Sequence, residues 1–452
     1  MTSPTDVVVI GLGPGGEKVA AQLAEAGLAV VGIDEHLVGG ECRFYGCTPT
    51  KMMVRAADLL AEGRRIPAQA GDSAVRPDWA PVARRVTVEA THGWDDSDTV
   101  ESLRCSGVTV VRGRGRLSGP RTVVVGDDMY VARRGVVLAT GTAPQSPPIP
   151  GLDATPYWTN RDVVKVTTLP DSLIVIGAGA VGVELAQVFA RFGVTVTLIE
   201  AADRILAAEE PQASRVLTDT FAAEGIQVLA GADIAEVAYA EGRFAVRVGE
   251  DTVHADKLLV AAGRRVNLSE VGLDTVGLDP EAESIETDDR LRAGDGLWAI
   301  GDITADGAFT HVAVYQADVL TEVILHGPSA PAADYRAVPR VAYTDPEVAS
   351  VGVTEQQARE QGLDVRVGVA SLPDSSRGWL HGEGSQGLVK VVEDRAAGVL
   401  VGATVVAPAG GELLAHLTLA IHARVPTVTV ASMIYAFPTF SEAIRTALGD
   451  LH

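Results

Sequence analysis

The sequence predicts an α/β fold in which one kind of parallel-sheet unit occurs twice. The first copy has an apolar run over residues 6–10 that leads directly into the segment GLGPGG at 11–16. The second has an apolar run over 172–176 that leads into GAGAVG at 177–182. A buried strand that enters a glycine-rich turn and then a helix is typical of Rossmann-like dinucleotide-binding domains. We therefore expect two of them.

The first copy contains glycines at all three positions of a GxGxxG motif, Gly11, Gly13 and Gly16. A helix is predicted over 17–26, and a second strand over 29–33 ends at Asp34, 23 positions after Gly11. This is close to the ~20 residues expected before a carboxylate that binds a ribose. The glycines allow a tight turn and a close approach of the backbone to a pyrophosphate at the helix N-terminus.

The second copy repeats this pattern with Gly177, Gly179 and Gly182. Its second strand, predicted over 195–199, ends at Glu200, again 23 positions after the first glycine. A glutamate accepts hydrogen bonds from a 2′-hydroxyl and repels a 2′-phosphate, and the two alanines that follow offer no cation. The second site is therefore predicted to bind NAD(H) rather than NADP(H).

Three further apolar runs end in small-residue turns, as expected for strands that return to these sheets. They cover 136–141, 258–263 and 297–302. Ligands of such sheets bind at the carboxyl ends of the strands. The candidate binding residues in these turns are Thr140, Gly141, Gly263, Gly301 and Asp302.

Composition limits the function classes. A chain of 452 residues predicts roughly three or four domains. The net charge of −22 argues against a nucleic-acid partner. No apolar run reaches about 18 residues, which argues against a membrane span, and the run over 7–10 is too short for a signal peptide. A cytoplasmic location is expected.

Two of the three cysteines, Cys42 and Cys47, lie close together just after the first motif, in GGECRFYGCTPTK at 39–51. A close pair in a reducing compartment favours a reversible, redox-active disulfide that exchanges electrons with a cofactor. Half of a zinc site is the alternative, but no second Cys or His pair with ligand spacing accompanies it. Unreactive core cysteines are the other alternative, and a structural role is expected for Cys105.

Together these motifs resemble the FAD-dependent pyridine nucleotide–disulfide oxidoreductases, the group of dihydrolipoamide dehydrogenase, glutathione reductase and mercuric reductase. The resemblance covers essentially the whole chain. It implies FAD bound by the first motif and Asp34, with Asp302 at the ribityl chain, and a nicotinamide nucleotide bound by the second motif and Glu200. Gly40 belongs to the family's GG-x-C element, and the turn at Thr140 and Gly141 is of the family's ATG type.

The resemblance also implies catalytic roles. Cys47 would be the thiol that faces the flavin and forms a charge-transfer complex, and Cys42 would be the interchange thiol that meets the substrate. Lys51 would lie near the flavin N5 and pair with Glu184. Cys47 placed in a first helical turn, with Lys51 four residues on, would favour a thiolate.

The implied domain organisation has four parts. These are a first part of the FAD-binding domain over 1–149, an NAD-binding domain over 150–265, a central domain over 266–335 that completes the FAD site, and an α+β dimerisation domain over 336–452. The last begins with VPR at 338–340 and TDPE at 344–347, which resemble the start of the family's dimerisation domain. A homodimer is therefore expected.

The chain departs from the family near its end. The family's thiol-disulfide reductases have His-Pro-Thr here with a glutamate five residues after the histidine, and this pair acts as acid and base for the interchange cysteine. Glu442 is present, but Phe437 occupies the histidine position. Acid–base assistance is worth roughly 10²–10⁴ in rate, so we expect weak lipoamide activity. Tyr435 is the alternative proton donor that the sequence offers, and packing is the role predicted for it.

The residues around Cys42 also depart from the family. Glu41 replaces the usual Thr or Ser, and Arg43 replaces a smaller residue. The carboxylate would disfavour a Cys42 thiolate and the guanidinium would favour it, so the sequence leaves the balance open.

The function predicted is an FAD-dependent NADH oxidoreductase that uses a Cys42–Cys47 disulfide to reduce a small disulfide or another small acceptor. One alternative is a quinone or diaphorase-type reductase. Another is a relative of the 2-ketopropyl-coenzyme M carboxylase, which also has Phe at the histidine position. Mercury reduction is not expected. Mercuric reductase uses a C-terminal cysteine pair, whereas no cysteine follows Cys105 in this sequence.

Overall fold

The computed structural model of the chain describes residues 5–452. Its strands are β1 (Thr5–Ile10), β2 (Val30–Asp34), β3 (Thr109–Arg112), β4 (Arg116–Gly119), β5 (Thr122–Val125), β6 (Asp128–Leu138), β7 (Thr142–Pro144), β8 (Ser172–Ile176), β9 (Thr195–Ile199), β10 (Gln227–Leu229), β11 (Ile234–Ala240), β12 (Arg243–Val248), β13 (Asp251–Ala255), β14 (Lys257–Val260), β15 (Arg264–Val266), β16 (Arg292–Gly294), β17 (Leu297–Ala299), β18 (Pro339–Ala342), β19 (Glu347–Gly352), β20 (Val365–Ser371), β21 (Leu388–Asp394) and β22 (Val399–Ala407).

The α-helices are α1 (Pro14–Glu25), α2 (Gly40–Phe44), α3 (Cys47–Arg65), α4 (Ala80–Arg85), α5 (Ser97–Cys105), α6 (Asn160–Val163), α7 (Ala180–Arg191), α8 (Pro211–Ala223), α9 (Thr310–His326), α10 (Glu355–Glu360), α11 (Ser376–His381), α12 (Gly410–His422), α13 (Thr427–Ser432) and α14 (Glu442–Gly449). Between Thr5 and His452, no helix is both long enough and apolar enough to cross a membrane.

The chain forms two compact units. The first contains residues 5–50, 84–145 and 264–335, and the second contains residues 51–83, 146–263 and 336–452. The division of the chain into four domains stays a prediction.

The first unit is built on an eight-stranded sheet whose main path runs β16-β17-β6-β1-β2-β3. Strand β1 is parallel to both β2 and β6. Val7 and Val9 pack into one core with α1 and α9, while Val8 and Ile10 pack into a second core on the other face. Both faces of the central strands are therefore covered, which explains why β1 is a continuous apolar run.

The second unit contains a parallel sheet in the order β10-β9-β8-β14 and an antiparallel sheet in the order β11-β12-β13. It also contains a five-stranded antiparallel sheet in the order β18-β19-β22-β21-β20. Apolar residues of α12 and α14 pack into the core of this last sheet. The predicted fold class is confirmed, with two Rossmann-like units and an α+β C-terminal part.

Strands β8 and β9 have the predicted bounds, whereas α1 begins earlier than predicted, at Pro14 instead of residue 17. The difference has a physical reason. Proline fits the first turn of a helix because the N–H that it lacks has no intrahelical partner there.

Candidate active site

The loop between β1 and α1 makes a tight turn that fits glycine. Gly11 has φ = 94°, a left-handed conformation that side chains disfavour, and a Cβ built at Gly16 would overlap the Gly11 carbonyl oxygen. A Cβ built at Gly13 would meet no atom of residues 5–452 within 4 Å. The loop therefore leaves open space at the start of α1, where unpaired backbone N–H groups favour a phosphate.

Asp34 closes this loop from the end of β2. Its Oδ2 accepts a hydrogen bond from the Leu12 N–H at 2.7 Å, and its Oδ1 accepts one from the His36 N–H at 2.7 Å. Burial raises the pKa of the Asp34 carboxyl above its usual value, although both hydrogen bonds oppose the shift. The carboxylate predicted to bind a ribose thus also holds the glycine loop in shape.

The loop between β8 and α7 repeats this geometry. Gly177 has φ = 98°, and a Cβ built at Gly182 would overlap the Gly177 carbonyl oxygen. A Cβ built at Gly179 would meet nothing within 4 Å in the described part of the chain. This loop, too, leaves open space at the start of a helix.

Glu200 closes the second loop as Asp34 closes the first. Its Oε2 accepts a hydrogen bond from the Ala178 N–H at 2.6 Å, and its Oε1 accepts one from the Ala202 N–H at 2.8 Å. Each oxygen keeps a second lone pair for a ligand. The arginine nearest in sequence, Arg204, donates hydrogen bonds to the Ala207 and Glu209 carbonyl oxygens.

The small-residue turns after β6 and β14 lie against the two glycine loops. A Cβ built at Gly11 would overlap the Ala139 carbonyl oxygen, and one built at Gly177 would lie 2.5 Å from the Ala261 carbonyl oxygen. The predicted residues in these turns are Thr140, Gly141 and Gly263.

The cysteine element follows β2. Gly40 opens the short helix α2 with φ = 61°, and a Cβ built there would lie 3.0 Å from the Gly13 Cα. The start of α2 is therefore packed against the first glycine loop. Cys42 lies within α2, and Cys47 is the first residue of α3.

Both cysteines are thiols in this structure, and they interact directly. The hydrogen bond with Cys47, followed by burial, raises the pKa of the Cys42 thiol well above its usual range. A hydrogen bond with Thr310 opposes that shift. The Thr310 hydroxyl also lies 3.5 Å from the Cys47 Sγ. This shift favours the protonated form of the Cys42 thiol, and Thr310 is a polar contact of both sulfurs.

Charged residues flank Cys42 on both sides in sequence. The Glu41 Oε2 lies 3.5 Å from the Arg264 Nη2. Arg43 lines a cavity of about 410 Å³ together with Glu17. Burial raises the pKa of Glu17 to about 7, and the positive charge of Arg43 opposes the shift. The balance between Glu41 and Arg43 that the sequence left open therefore involves two further residues, Arg264 and Glu17.

Gly301 and Asp302 follow β17, which lies between β16 and β6 in the first unit's sheet. The Gly301 N–H donates a 2.6 Å hydrogen bond to the Oε1 of Gln316, which is fully buried. The Thr142 hydroxyl donates a 3.0 Å hydrogen bond to the Asp302 Oδ2. The carboxylate predicted to hold a ribityl chain is therefore oriented by its own neighbours.

Lys51 and Glu184 lie together in the second unit. The Lys51 Nζ lies 2.6 Å from the Oε2 of Glu184, a side chain that is only 3% exposed. The Glu184 Oε1 accepts a hydrogen bond from the Tyr343 N–H at 2.9 Å, and the Lys51 Nζ lies 4.8 Å from the centre of the Tyr343 ring. The ammonium group is held by a buried carboxylate and an aromatic face.

The C-terminal segment contains a carboxylate but no imidazole. Phe437 is 73% exposed. The Glu442 Oε2 is buried and has no hydrogen-bond partner within residues 5–452. The Tyr435 hydroxyl donates a hydrogen bond to the Val430 carbonyl oxygen at 3.0 Å, and burial raises the pKa of Tyr435. A packing role therefore accounts for Tyr435.

The predicted site residues fall into two sets. The first unit contains Gly11, Gly13, Gly16, Asp34, Gly40, Cys42, Cys47, Thr140, Gly141, Gly301 and Asp302. The second contains Lys51, Gly177, Gly179, Gly182, Glu184, Glu200, Gly263 and Glu442. Sequence reasoning missed Thr310, Thr142 and Arg264. The last two directly follow the predicted turn residues Gly141 and Gly263, which was the one signal available.

Comparison with family models identifies two matches. Residues 5–317 match the model described as "Pyridine nucleotide-disulphide oxidoreductase". Residues 338–448 match the model of the same family's dimerisation domain.

Curated proteins similar to the chain include mercuric reductases and dihydrolipoyl dehydrogenases. The mercuric reductase of Acidithiobacillus ferrooxidans is 34% identical over 98% of this chain and 81% of that protein. The dihydrolipoyl dehydrogenase of Chlorobaculum tepidum is 33% identical over 98% of this chain and 96% of that protein.

Solved structures show the same fold. The HOCl-induced flavoprotein disulfide reductase RclA from Escherichia coli has a TM-score of 0.86 at 25% identity, covering 98% of this chain and 99% of that one. LpdA from Mycobacterium tuberculosis has a TM-score of 0.86 at 27% identity, with the same coverage.

Proposed function

Because the chain belongs to the pyridine nucleotide–disulphide oxidoreductase family, we propose that it is an NADH oxidoreductase in which electrons pass through FAD and a Cys42–Cys47 disulfide to a small acceptor. The chain is an oxidoreductase whose cofactors are FAD and a nicotinamide nucleotide. The choice of NADH, the electron path and the acceptor belong to the proposal. The match to a dimerisation domain supports a homodimer.

The two glycine loops fit dinucleotides. Each leaves open space beside a helix start, at Gly13 and at Gly179, where a Cβ would meet no atom of the described residues within 4 Å. Backbone N–H groups at such a helix start favour a pyrophosphate. Asp34 and Glu200 each retain lone pairs for ribose hydroxyls.

We assign the first loop with Asp34 and Asp302 to FAD and the second loop with Glu200 to the nicotinamide nucleotide. FAD, when bound, supplies hydride and electron transfer between the nicotinamide and the thiols. The Glu200 carboxylate would accept a hydrogen bond from a 2′-hydroxyl and repel a 2′-phosphate. The arginine nearest in sequence, Arg204, is engaged with carbonyl oxygens, which favours NADH.

The contact between the Cys42 and Cys47 thiols carries the proposal. Loss of two electrons and two protons would join the sulfurs, and the reverse would regenerate the dithiol. Cys47, in the first turn of α3, lies where backbone N–H groups favour a thiolate. The raised pKa of Cys42 favours its protonated form, so this thiol would be the nucleophile towards a disulfide acceptor only after losing its proton.

Phe437 limits the acceptor. A phenyl ring neither gives nor takes a proton, so the Cys42 thiol lacks the imidazole that serves it in the family's thiol-disulfide reductases. Lipoamide and glutathione-type disulfides should therefore be reduced slowly.

Thiol trapping tests the proposal. The oxidised holoprotein is mixed anaerobically with NADH, and newly reactive cysteines are alkylated and located by mass spectrometry. We expect Cys42 and Cys47 to become labelled together after NADH addition, with Cys105 as the internal control labelled in both states. Unchanged labelling of the pair alongside flavin bleaching would reject the disulfide path.

One observation favours a second function, direct reduction of a quinone or dye-like acceptor. With Phe437 in place of histidine, an acceptor that takes electrons without thiol interchange avoids the missing proton carrier. A Cys42→Ser, Cys47→Ser double variant with full NADH turnover towards a quinone would establish it, and loss of that turnover would exclude it.

A further inference from the structure

One buried side chain ties the turn after β17 to α9. Gln316, the seventh residue of α9, accepts a 2.6 Å hydrogen bond from the Gly301 N–H at its Oε1. Its Nε2 donates a 3.3 Å hydrogen bond to the hydroxyl of Thr304. This hydroxyl donates in turn to the Gly301 carbonyl oxygen at 3.0 Å. Both backbone polar groups of Gly301 are therefore held by a closed ring of hydrogen bonds.

The ring fixes a backbone that has little preference of its own. Gly301 has φ = 79°, a left-handed conformation that glycine can adopt and can also leave at low cost. The next residue is Asp302, whose Oδ2 accepts the hydrogen bond from the Thr142 hydroxyl. The direction in which the Asp302 carboxylate points therefore depends on the hydrogen bonds that hold Gly301.

Tyr335 holds the other end of the Gln316 amide. The Gln316 Nε2 donates a 2.9 Å hydrogen bond to the Tyr335 hydroxyl. A hydrogen bond from this hydroxyl to the Asp306 carboxylate opposes the rise that burial gives to the pKa of Asp306. Because a backbone N–H can only donate, the amide oxygen has to face Gly301 and the amide nitrogen has to face Tyr335. The Gln316 side chain thus has one orientation.

Helix α9 gives this side chain a firm base. Leu320 and Val323 of α9 are buried in the core that also contains Val7 of β1. The first residue of the helix is Thr310, whose hydroxyl lies 3.5 Å from the Cys47 Sγ. The turn that carries Asp302 is therefore tied to the same helix that contacts a thiol.

We propose that Gln316, held by Tyr335, is a positioning residue that fixes Asp302 for the flavin through the backbone of Gly301. The proposal deepens the proposed function, on which it rests for the role of Asp302 at the FAD ribityl chain. Gln316 is fully buried, so it acts through the turn and not by contact with the flavin.

Hydrogen exchange tests the turn directly. Holoprotein is transferred to deuterated buffer, and deuterium uptake at Gly301 is timed by mass spectrometry of the peptides that contain it. Gln316→Met keeps the length of the side chain without its amide, and Tyr335→Phe removes one hydroxyl. The matched controls are Tyr315→Phe, in the ring packed edge-on against Tyr335, and Thr321→Val, which removes a buried hydroxyl from α9.

We expect Gln316→Met to raise the exchange rate of the Gly301 amide at least about tenfold, because a buried donor then loses its acceptor. Tyr335→Phe should raise this rate about threefold, since the Gln316 amide keeps its bond to Gly301 but loses a partner of its own. Tyr315→Phe and Thr321→Val should match the wild type at Gly301.

FAD release tests the consequence for the flavin. Release on dilution of the holoprotein is followed by flavin fluorescence, and thermal unfolding of each variant is measured in parallel. Gln316→Met should release FAD about tenfold faster than the wild type and Tyr335→Phe about threefold faster, the same order as their exchange rates. Thr321→Val should release FAD at the wild-type rate even where it lowers the unfolding temperature as much as Gln316→Met.

Equal FAD release from Gln316→Met and Thr321→Val would overturn the proposal, because it would show a general loosening of α9. Wild-type exchange at Gly301 in both Gln316→Met and Tyr335→Phe would overturn it as well. If Gln316→Met does not fold, Tyr335→Phe decides by the same two measurements. Neither measurement uses NADH, so failure of NADH to label the cysteine pair would reject the proposed function while these tests still gave a result.

Discussion

The two glycine loops have nearly the same geometry but different surroundings. Gly11 and Gly177 have φ values of 94° and 98°, and Asp34 and Glu200 each accept two backbone hydrogen bonds that close their loops. The first loop is followed by the cysteine helix α2, packed against Gly13. The second is followed by no cysteine. We assign the shared geometry to nucleotide binding, and the added helix distinguishes the unit assigned to electron transfer.

The largest expected effect comes from adding a methyl group to each loop in turn. Gly16→Ala and Gly182→Ala would each force a Cβ against a backbone carbonyl oxygen. That overlap cannot relax at a flexible side chain, so the cost should exceed the roughly 1–3 kcal/mol of ordinary overpacking. Gly16→Ala should purify with little FAD, and Gly182→Ala should retain FAD but bind NADH at least about tenfold more weakly.

Flavin absorbance per chain and NADH titration by fluorescence measure the two outcomes. Gly13→Ala and Gly179→Ala are the matched controls for the protein fold, since a Cβ at either position meets no described atom within 4 Å. If Gly182→Ala lost FAD as readily as Gly16→Ala, the assignment of one nucleotide to each loop would be wrong.

The next effect concerns proton transfer to and from the thiols. The C-terminal segment of the second unit has a carboxylate, Glu442, but no imidazole at position 437. Phe437→His should raise lipoamide reduction by roughly tenfold or more, part of the 10²–10⁴ that a positioned acid–base group can supply. The buried Glu442 Oε2 has no hydrogen-bond partner in the described chain, and we expect it to accept a hydrogen bond from the new imidazole.

Steady-state rates with lipoamide and with a quinone measure this gain. Phe437→Leu is the control, because it changes the side chain without adding a proton carrier. A gain in quinone reduction as large as that in lipoamide reduction would show that the histidine does not act on the thiols.

A smaller effect is expected at the two loop-closing carboxylates. Glu200→Ala should raise the KM for NADH by about tenfold, since it removes a ribose acceptor and two loop hydrogen bonds. It should also narrow the preference for NADH over NADPH, because the charge that repels a 2′-phosphate is gone. Asp34→Ala should leave that preference unchanged and lower the affinity for FAD instead. The ratio of KM values for NADH and NADPH measures the first outcome, and the rate of FAD release measures the second.

The smallest effect is one of pH. Glu17 in α1 and Val183 in α7 occupy equivalent positions of the two repeated units, and Val183 is fully buried. Burial raises the pKa of the Glu17 carboxyl from its usual 4.5 to about 7. The folded state then holds this proton more tightly than the unfolded state, so stability is present below pH 4.5 and falls as pH rises towards 7.

Glu17→Gln should remove this loss and stabilise the protein near neutral pH by roughly 1 kcal/mol, after allowance for partial exposure. Thermal unfolding at acidic and neutral pH measures the difference. An equal gain at both pH values would show that the side chain acts by packing rather than by its charge.

The sequence predicted the repeated units because their signals are local. An apolar strand, a glycine turn and a terminal carboxylate lie within 29 consecutive residues in each copy, 6–34 and 172–200. It also placed Lys51 and Glu184 together, but only through a resemblance, since these residues come from distant parts of the chain.

The sequence alone did not identify the polar contacts around the cysteines. Thr310 and Arg264 come from segments more than two hundred residues after Cys42, and a single sequence contains no signal for such contacts. The start of α1 at Pro14 was missed for another reason. Proline disrupts the interior of a helix but is favoured in its first turn, and the sequence alone did not show that Pro14 lies in a first turn.

The ion pair between Glu41 and Arg264 should couple the evolution of two positions that lie far apart in the sequence. A lineage that exchanged Glu41 for a threonine would remove the carboxylate of this pair, and one that first lost Arg264 would remove its guanidinium. Either single change removes the ion pair. Descendants should therefore change both positions together or neither, and this pairing would be visible as covariation once enough relatives are aligned.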